Sequence, residues 1–154
     1  MSRSGYYEST GDDHLDLGRW RGQVASATRG KRGQRFFLDL IAALDALPEK
    51  KLISGELEEE GSYCALGALG RHRGVDLKAL DIRDWDDGDW AKLGEAFDIA
   101  SQLAQEAMYV NDDRDYCYKP TTPESRWQSV REWALAQLKP ETLLFLQTEG
   151  VGDD

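Results

Sequence analysis

Apolar residues recur along this chain at intervals of three and four, a spacing that predicts helices rather than sheet. The clearest case is 34–47. There Phe36, Phe37, Leu40, Ile41, Leu44 and Leu47 recur at helical spacing, while Arg35, Asp39 and Asp45 are free to face water. Pro48 closes that helix. Ahead of it, Trp20, Val24 and Ala27 predict a helix over 15–29, which Gly22 weakens by about 1 kcal/mol relative to alanine. Ile99, Leu103, Ala107 and Val110 predict another over 99–110, preceded by a break at 97–98. The helix over 122–138 has the best-marked start. Thr122 caps it, Pro123 takes its first position, and Glu124 places an acid in its first turn. Trp127, Val130, Ala134 and Leu138 are its inward residues, and Pro140 interrupts it.

Shorter elements fill the intervals. Residues 63–69 read as a short buried helix. Gly67, Gly70 and Gly74 share a face at spacings of three and four, where another backbone can approach. Gly74 also suits a helix stop, and Asp76 a cap for 77–80. Asp87 or Asp89 is expected to cap a helix beginning near Trp90, and 141–147 forms a last short helix. The expected fold is all-α: a compact bundle of four main helices plus short ones, with a minor strand pair near Leu52 and Tyr63 as the open point. Residues 1–13 are expected to be a flexible arm, 14–149 a single helical domain, and 150–154 a free tail.

Composition narrows the class. A chain of 154 residues, 40% apolar, suffices for one modest core. No apolar run approaches the roughly 20 residues of a membrane span, and the polar start lacks an export signal or transit peptide. Cys64 and Cys117 have no CxxC partner, so reduced thiols in a cytoplasmic protein are expected. Cys64 sits in an apolar run and reads as core, whereas Cys117 lies in a polar region.

The net charge of −10 is uneven. Residues 51–118 carry 7 basic and 16 acidic side chains. Residues 1–50 carry 8 and 7, and no acid falls between Arg19 and Arg35. Two candidate surfaces follow. The first is a basic turn at 29–33, continued by Arg35, in which Arg29, Lys31, Arg32 and Arg35 would hold phosphate or nucleic acid, helped by the amides of the following helix. It lacks the spacing of a P-loop. The second is acidic and suits a basic protein partner: Glu56, Glu58, Glu59 and Glu60, with Asp84, Trp85, Asp86, Asp87 and Asp89. Read as a calcium loop, 84–95 fails at its fifth and sixth positions. His14 and His72 have no second ligand nearby, so no metal is expected. No nucleophile–base arrangement or carboxylate pair emerges, and no cofactor is implied. The expectation is a non-enzyme, and an enzyme would need a cleft of convergent polar groups. A helix–turn–helix over 93–112 would place no Lys or Arg on its second helix, a poor reader of DNA.

Three stretches together carry a resemblance: Arg-Gly-Lys-Arg-Gly-Gln-Arg-Phe (29–36) followed by Leu-Asp-Ala-Leu-Pro (44–48), then Cys-Ala-Leu-Gly-Ala-Leu-Gly-Arg (64–71), and Ala-Gln-Glu with Asn-Asp (within 104–112). From about residue 3 to 138 the chain resembles a family of small, largely uncharacterised proteins encoded by bacteriophages and prophages. No catalytic residues are carried over. The resemblance implies a phage-encoded protein acting in the host bacterial cytoplasm. That setting favours binding to host machinery, including defence complexes such as CRISPR effectors, whose nucleic-acid channels an acidic surface would occupy. The alternative is a nucleic-acid-associated phage protein using the basic turn. Five tryptophans in a helical domain are also compatible with a homodimer.

Overall fold

A computed structural model describes residue 3, residues 14–114 and residues 121–151 of the chain. Among the described residues there are seven helices and one small hairpin. The helices are α1 (His14–Arg29), α2 (Lys31–Ala46), α3 (Ala65–Arg73), α4 (Asp87–Phe97), α5 (Ser101–Asp112), α6 (Pro123–Ala136) and α7 (Pro140–Val151). The hairpin comprises β1 (Glu58–Glu59) and β2 (Ser62–Tyr63). The fold is therefore mostly α, as the periodicity predicts.

Helix α2 runs through the centre. Phe36, Phe37, Leu40 and Leu44 are fully buried on it, and each such side chain contributes about 1.5–3 kcal/mol relative to exposure. It packs against α3, α6 and α1. Helix α5 is the second buried axis, with Leu103, Ala104, Ala107 and Met108 at zero exposure. It packs against α1, α3, α4 and α6. Helix α4 adds Trp90, Leu93 and Phe97, and α6 adds Val130, Trp133 and Ala134.

Three local predictions change. The basic turn is not a turn: only Gly30 separates α1 from α2, and Arg29 ends one helix while Lys31 begins the next. Gly33 makes this sharp corner possible. A Cβ there would lie 1.9 Å from the carbonyl oxygen of Ala27. The strand pair joins Glu58–Glu59 to Ser62–Tyr63 rather than using Leu52. Its two-residue loop, Glu60 and Gly61, has positive φ at both positions, as a type I′ turn requires. Finally, 77–80 is a turn, although Asp76 accepts the Ala79 amide at 3.3 Å as a cap would.

Of the three spaced glycines, Gly67 alone meets another backbone. A Cβ there would lie 1.8 Å from the Leu57 carbonyl oxygen, so the hairpin arm rests directly on α3. Gly70 meets the Leu77 side chain, and Gly74 ends α3 in the left-handed conformation. Asp39 and Asp45 do not simply face water. Arg73 binds Asp39 at 2.8 Å and the Phe97 carbonyl at 2.8 Å, joining α2, α3 and the end of α4. Arg131 binds Asp45 at 2.7 and 3.0 Å, joining α6 to α2. Gln34 links three helices: its amide nitrogen donates to Thr28 and Gln137 carbonyls, and its oxygen accepts the Lys139 amide.

Of the segment 1–13, Arg3 alone is described, and it is buried against the domain. The remainder of that segment, Cys117 and 152–154 lie outside the described residues. Helix α7 extends through Val151, into the segment expected to be a free tail.

Candidate functional site

The two acidic stretches are separated by about twenty residues in sequence, yet they line one cleft of about 490 Å³. Glu56, Glu58 and Glu60 come from the hairpin arm. Asp81 and Trp85 come from the loop before α4, and Lys78 is the single cation on the wall. Hairpin packing on Gly67 and the tight turn at 60–61 hold the first set. The second set is held by Asp89.

Asp89 is a correction to the sequence reading. It is buried and faces inward, not toward a partner. Its Oδ2 accepts the amides of Arg83, Asp84 and Trp85 at 3.2, 3.0 and 2.9 Å. Burial opposes its charge, but these three donors and the nearby Lys92 outweigh that and hold the carboxyl below its ordinary pKa. Asp86, and not Asp87 or Asp89, caps α4, accepting the Asp89 amide at 2.9 Å. Asp84, Asp87 and Glu59 are exposed and available to a partner although they do not line the cleft, and Glu58 is exposed on its wall. Asp81 carries an exposed ion pair with Arg83 at 2.8 Å.

Trp85 sits at φ 54, a conformation that costs a bulky residue of order 1–3 kcal/mol. The Asp89 clamp on its amide supports that strain. The ring packs on Trp90 with centroids 5.2 Å apart and lines the acidic cleft. The Arg3 guanidinium also lies over it, 4.9 Å from the centroid.

Arg3 leads to a polar cluster that the sequence does not announce. Its Nε and Nη2 donate to the two Asp112 oxygens at 2.6 and 2.7 Å, and its Nη1 lies 3.7 Å from the Cys64 sulfur. Burial disfavours the guanidinium charge, but Cys64 and Asp112 outweigh it and raise the Arg3 pKa. Asn111 positions the carboxylate: its amide nitrogen donates to Asp112 at 2.7 Å and to the Ile53 carbonyl at 2.9 Å, while its oxygen accepts the Ala65 amide at 3.0 Å. Cys64 also caps α3, its sulfur accepting the Gly67 amide. Arg126 approaches from α6. It donates to the Leu52 carbonyl at 2.7 Å, while its buried Nε has no hydrogen-bond partner. Cys64 and Asp112 lie 48 residues apart, so sequence spacing gives no sign of this cluster.

The basic residues form a separate corner. Arg29, Lys31, Arg32 and Arg35 are all exposed. Arg32 reaches Asp98 at 3.2 Å, and among the described residues no ion pair joins the other three to an acid. A second cleft, of about 480 Å³, is lined there by Gly30, Lys31, Arg32, Ala100 and Gln102 among others. It brings together the starts of α2 and α5, neither of which has a side-chain cap or an acid in its first turn. Among the described residues no three His, Cys, Asp or Glu side chains gather to hold a metal ion, and no helix is long and apolar enough to cross a membrane. No family model, curated protein or solved structure matches this chain.

Proposed function

We propose that this protein acts by protein–protein contact, presenting its acidic face to a basic surface on a host protein complex. In the phage setting that the resemblance implies, the target class is a host defence complex of the CRISPR type with a nucleic-acid channel in the bacterial cytoplasm. The observation that carries the reading is the convergence of 56–60 and 81–85 on one cleft beside Trp85. Acids around an aromatic anchor recruit a basic partner at long range and then give it a desolvated contact.

The test is capture of host proteins on the tagged protein after nuclease treatment. Wild type is expected to retain a protein complex. The variant Glu58→Gln/Glu59→Gln/Asp84→Asn/Asp87→Asn, which spares the cap Asp86 and the clamp Asp89, is expected to lose it. Equal capture by both proteins rejects the reading.

The basic corner supports a second reading, phosphate or nucleic-acid binding. Two uncapped helix starts and exposed Lys31 and Arg32 share its cleft. Partners lost on nuclease treatment, with DNA or RNA affinity falling in Lys31→Ala/Arg32→Ala and a shallower salt dependence, would favour it.

A further inference from the structure

We propose that the pocket formed by Asp112, Cys64 and Trp85 is a guanidinium-binding site, occupied here by the chain's own Arg3, and that an arginine of the basic partner takes its place. The second half rests on the acidic face being the partner-binding surface; the first half does not.

The pocket has the chemistry that selects arginine over lysine. One carboxylate receives two parallel N–H donors, at 2.6 and 2.7 Å. An indole face covers the planar cation. Lysine can lie over an indole, but it has neither the two-donor fork nor a flat cation to stack on the ring. The carboxylate is also set before any guanidinium arrives. Asn111 holds Asp112 Oδ1 and is itself fixed by Ala65 and Ile53. With Arg3 gone, Asp112 would lose its bidentate partner and keep only the more distant charge of Arg126, a state that favours a replacement guanidinium.

Access follows from Trp85. The same ring covers Arg3 and lines the acidic cleft, so the cleft and the pocket share a wall. A basic segment drawn into the cleft by Glu56, Glu58 and Glu60 arrives next to the pocket. Arg3 and the incoming arginine compete for one carboxylate, so binding would release the Arg3 side chain.

The experiment uses blocked Gly-Arg-Gly and Gly-Lys-Gly peptides, titrated by calorimetry into wild type, Arg3→Lys and Arg3→Lys/Asp112→Asn. Arg3→Lys keeps a cation near the pocket but vacates the fork. It is expected to bind the arginine peptide saturably and roughly tenfold or more tighter than wild type, where Arg3 keeps the open fraction small. The lysine peptide should not bind, and the double variant should bind neither. Equal affinity in wild type and Arg3→Lys, binding of the lysine peptide, or binding that survives Asp112→Asn each overturns the site. Should Arg3→Lys not fold, the Arg3 Nε–H resonance of wild type serves instead. Excess arginine peptide is expected to shift it to a solvent-exposed position, and an unmoved resonance overturns the proposal. Captured host partner should increase on Arg3→Lys, and capture no greater than wild type overturns the exchange with a partner arginine. Arginine-peptide binding alongside an empty host capture would reject the proposed function while leaving the pocket in place.

Discussion

Two arginine–aspartate pairs in this molecule use the same groups in opposite settings. Arg3 and Asp112 are 5% and 8% exposed at the side chain, bidentate, and backed by Asn111 and Trp85. Arg32 and Asp98 are 63% and 75% exposed and meet through a single contact at 3.2 Å. The first pair is enclosed by groups that fix its geometry, so loss of one partner leaves a buried charge. The second is surrounded by water, which screens it and supplies a replacement. The difference assigns the two regions different work. The pocket side is shaped and selective, while the basic corner is a diffuse source of positive charge.

The largest effect should come from breaking the buried pair. Asp112→Ala is expected to cost about 3–5 kcal/mol in urea unfolding, because the Arg3 guanidinium is left without its carboxylate. A loss under about 1 kcal/mol would place the two pairs on the same footing.

The basic corner is loose only in its charges, and its backbone packing is tight. Gly33→Ala would drive a Cβ to 1.9 Å from the Ala27 oxygen and 2.8 Å from the Thr28 oxygen, both backbone atoms. It should destabilise by about 3 kcal/mol. Gly22→Ala, where nothing lies within 4 Å, should instead stabilise α1 by about 0.5–1 kcal/mol. If both substitutions shift the melting temperature alike, the close approach at Gly33 is not what sets the corner.

Next is the clamp beneath the acidic face. Asp89→Asn removes a charged acceptor from three amides and should cost about 2 kcal/mol. Folding lowers the pKa of Asp89 from an ordinary value of 3.8, so the folded chain takes up this proton less readily than the unfolded one. The stabilisation is therefore complete above the ordinary value and drains away as pH falls through the lowered native one. The protection factors of the 83–85 amides should fall over that acid range in wild type, and should already be low at neutral pH in Asp89→Asn.

The smallest effect belongs to the exposed pair. Arg32→Ala should change stability by at most about 0.5 kcal/mol, a change that salt removes. A larger loss would show that the corner is a built site after all.

How much of this was legible depends on range. Phe36, Phe37, Leu40 and Leu44 announce α2 because burial imposes a helical period on neighbouring positions. Thr122 and Pro123 announce α6, and the structure completes their cap with Ser125, whose hydroxyl receives the Thr122 amide at 2.8 Å. The acidic stretches were legible as charge, but not as one cleft. Asp89 looked like any other acid in its run, since its burial depends on how 83–85 fold back over it. Asp112, six residues from Glu106, makes no carboxylate pair on spacing, and nothing local marks its role because its partner lies 109 residues away in the chain.

The sequence by itself determined the helical class, the strongest helix start, the uneven charge and the absence of a local catalytic motif. These depend on neighbours within one or two turns, where spacing and side-chain type act directly. Only the tertiary structure decided which acids point outward, that two acidic segments share a cleft, and that Arg3, Cys64, Trp85 and Asp112 meet. Those outcomes depend on chain crossings at Gly33 and Gly67, where a few tenths of a nanometre between backbones set which distant side chains come within hydrogen-bonding reach.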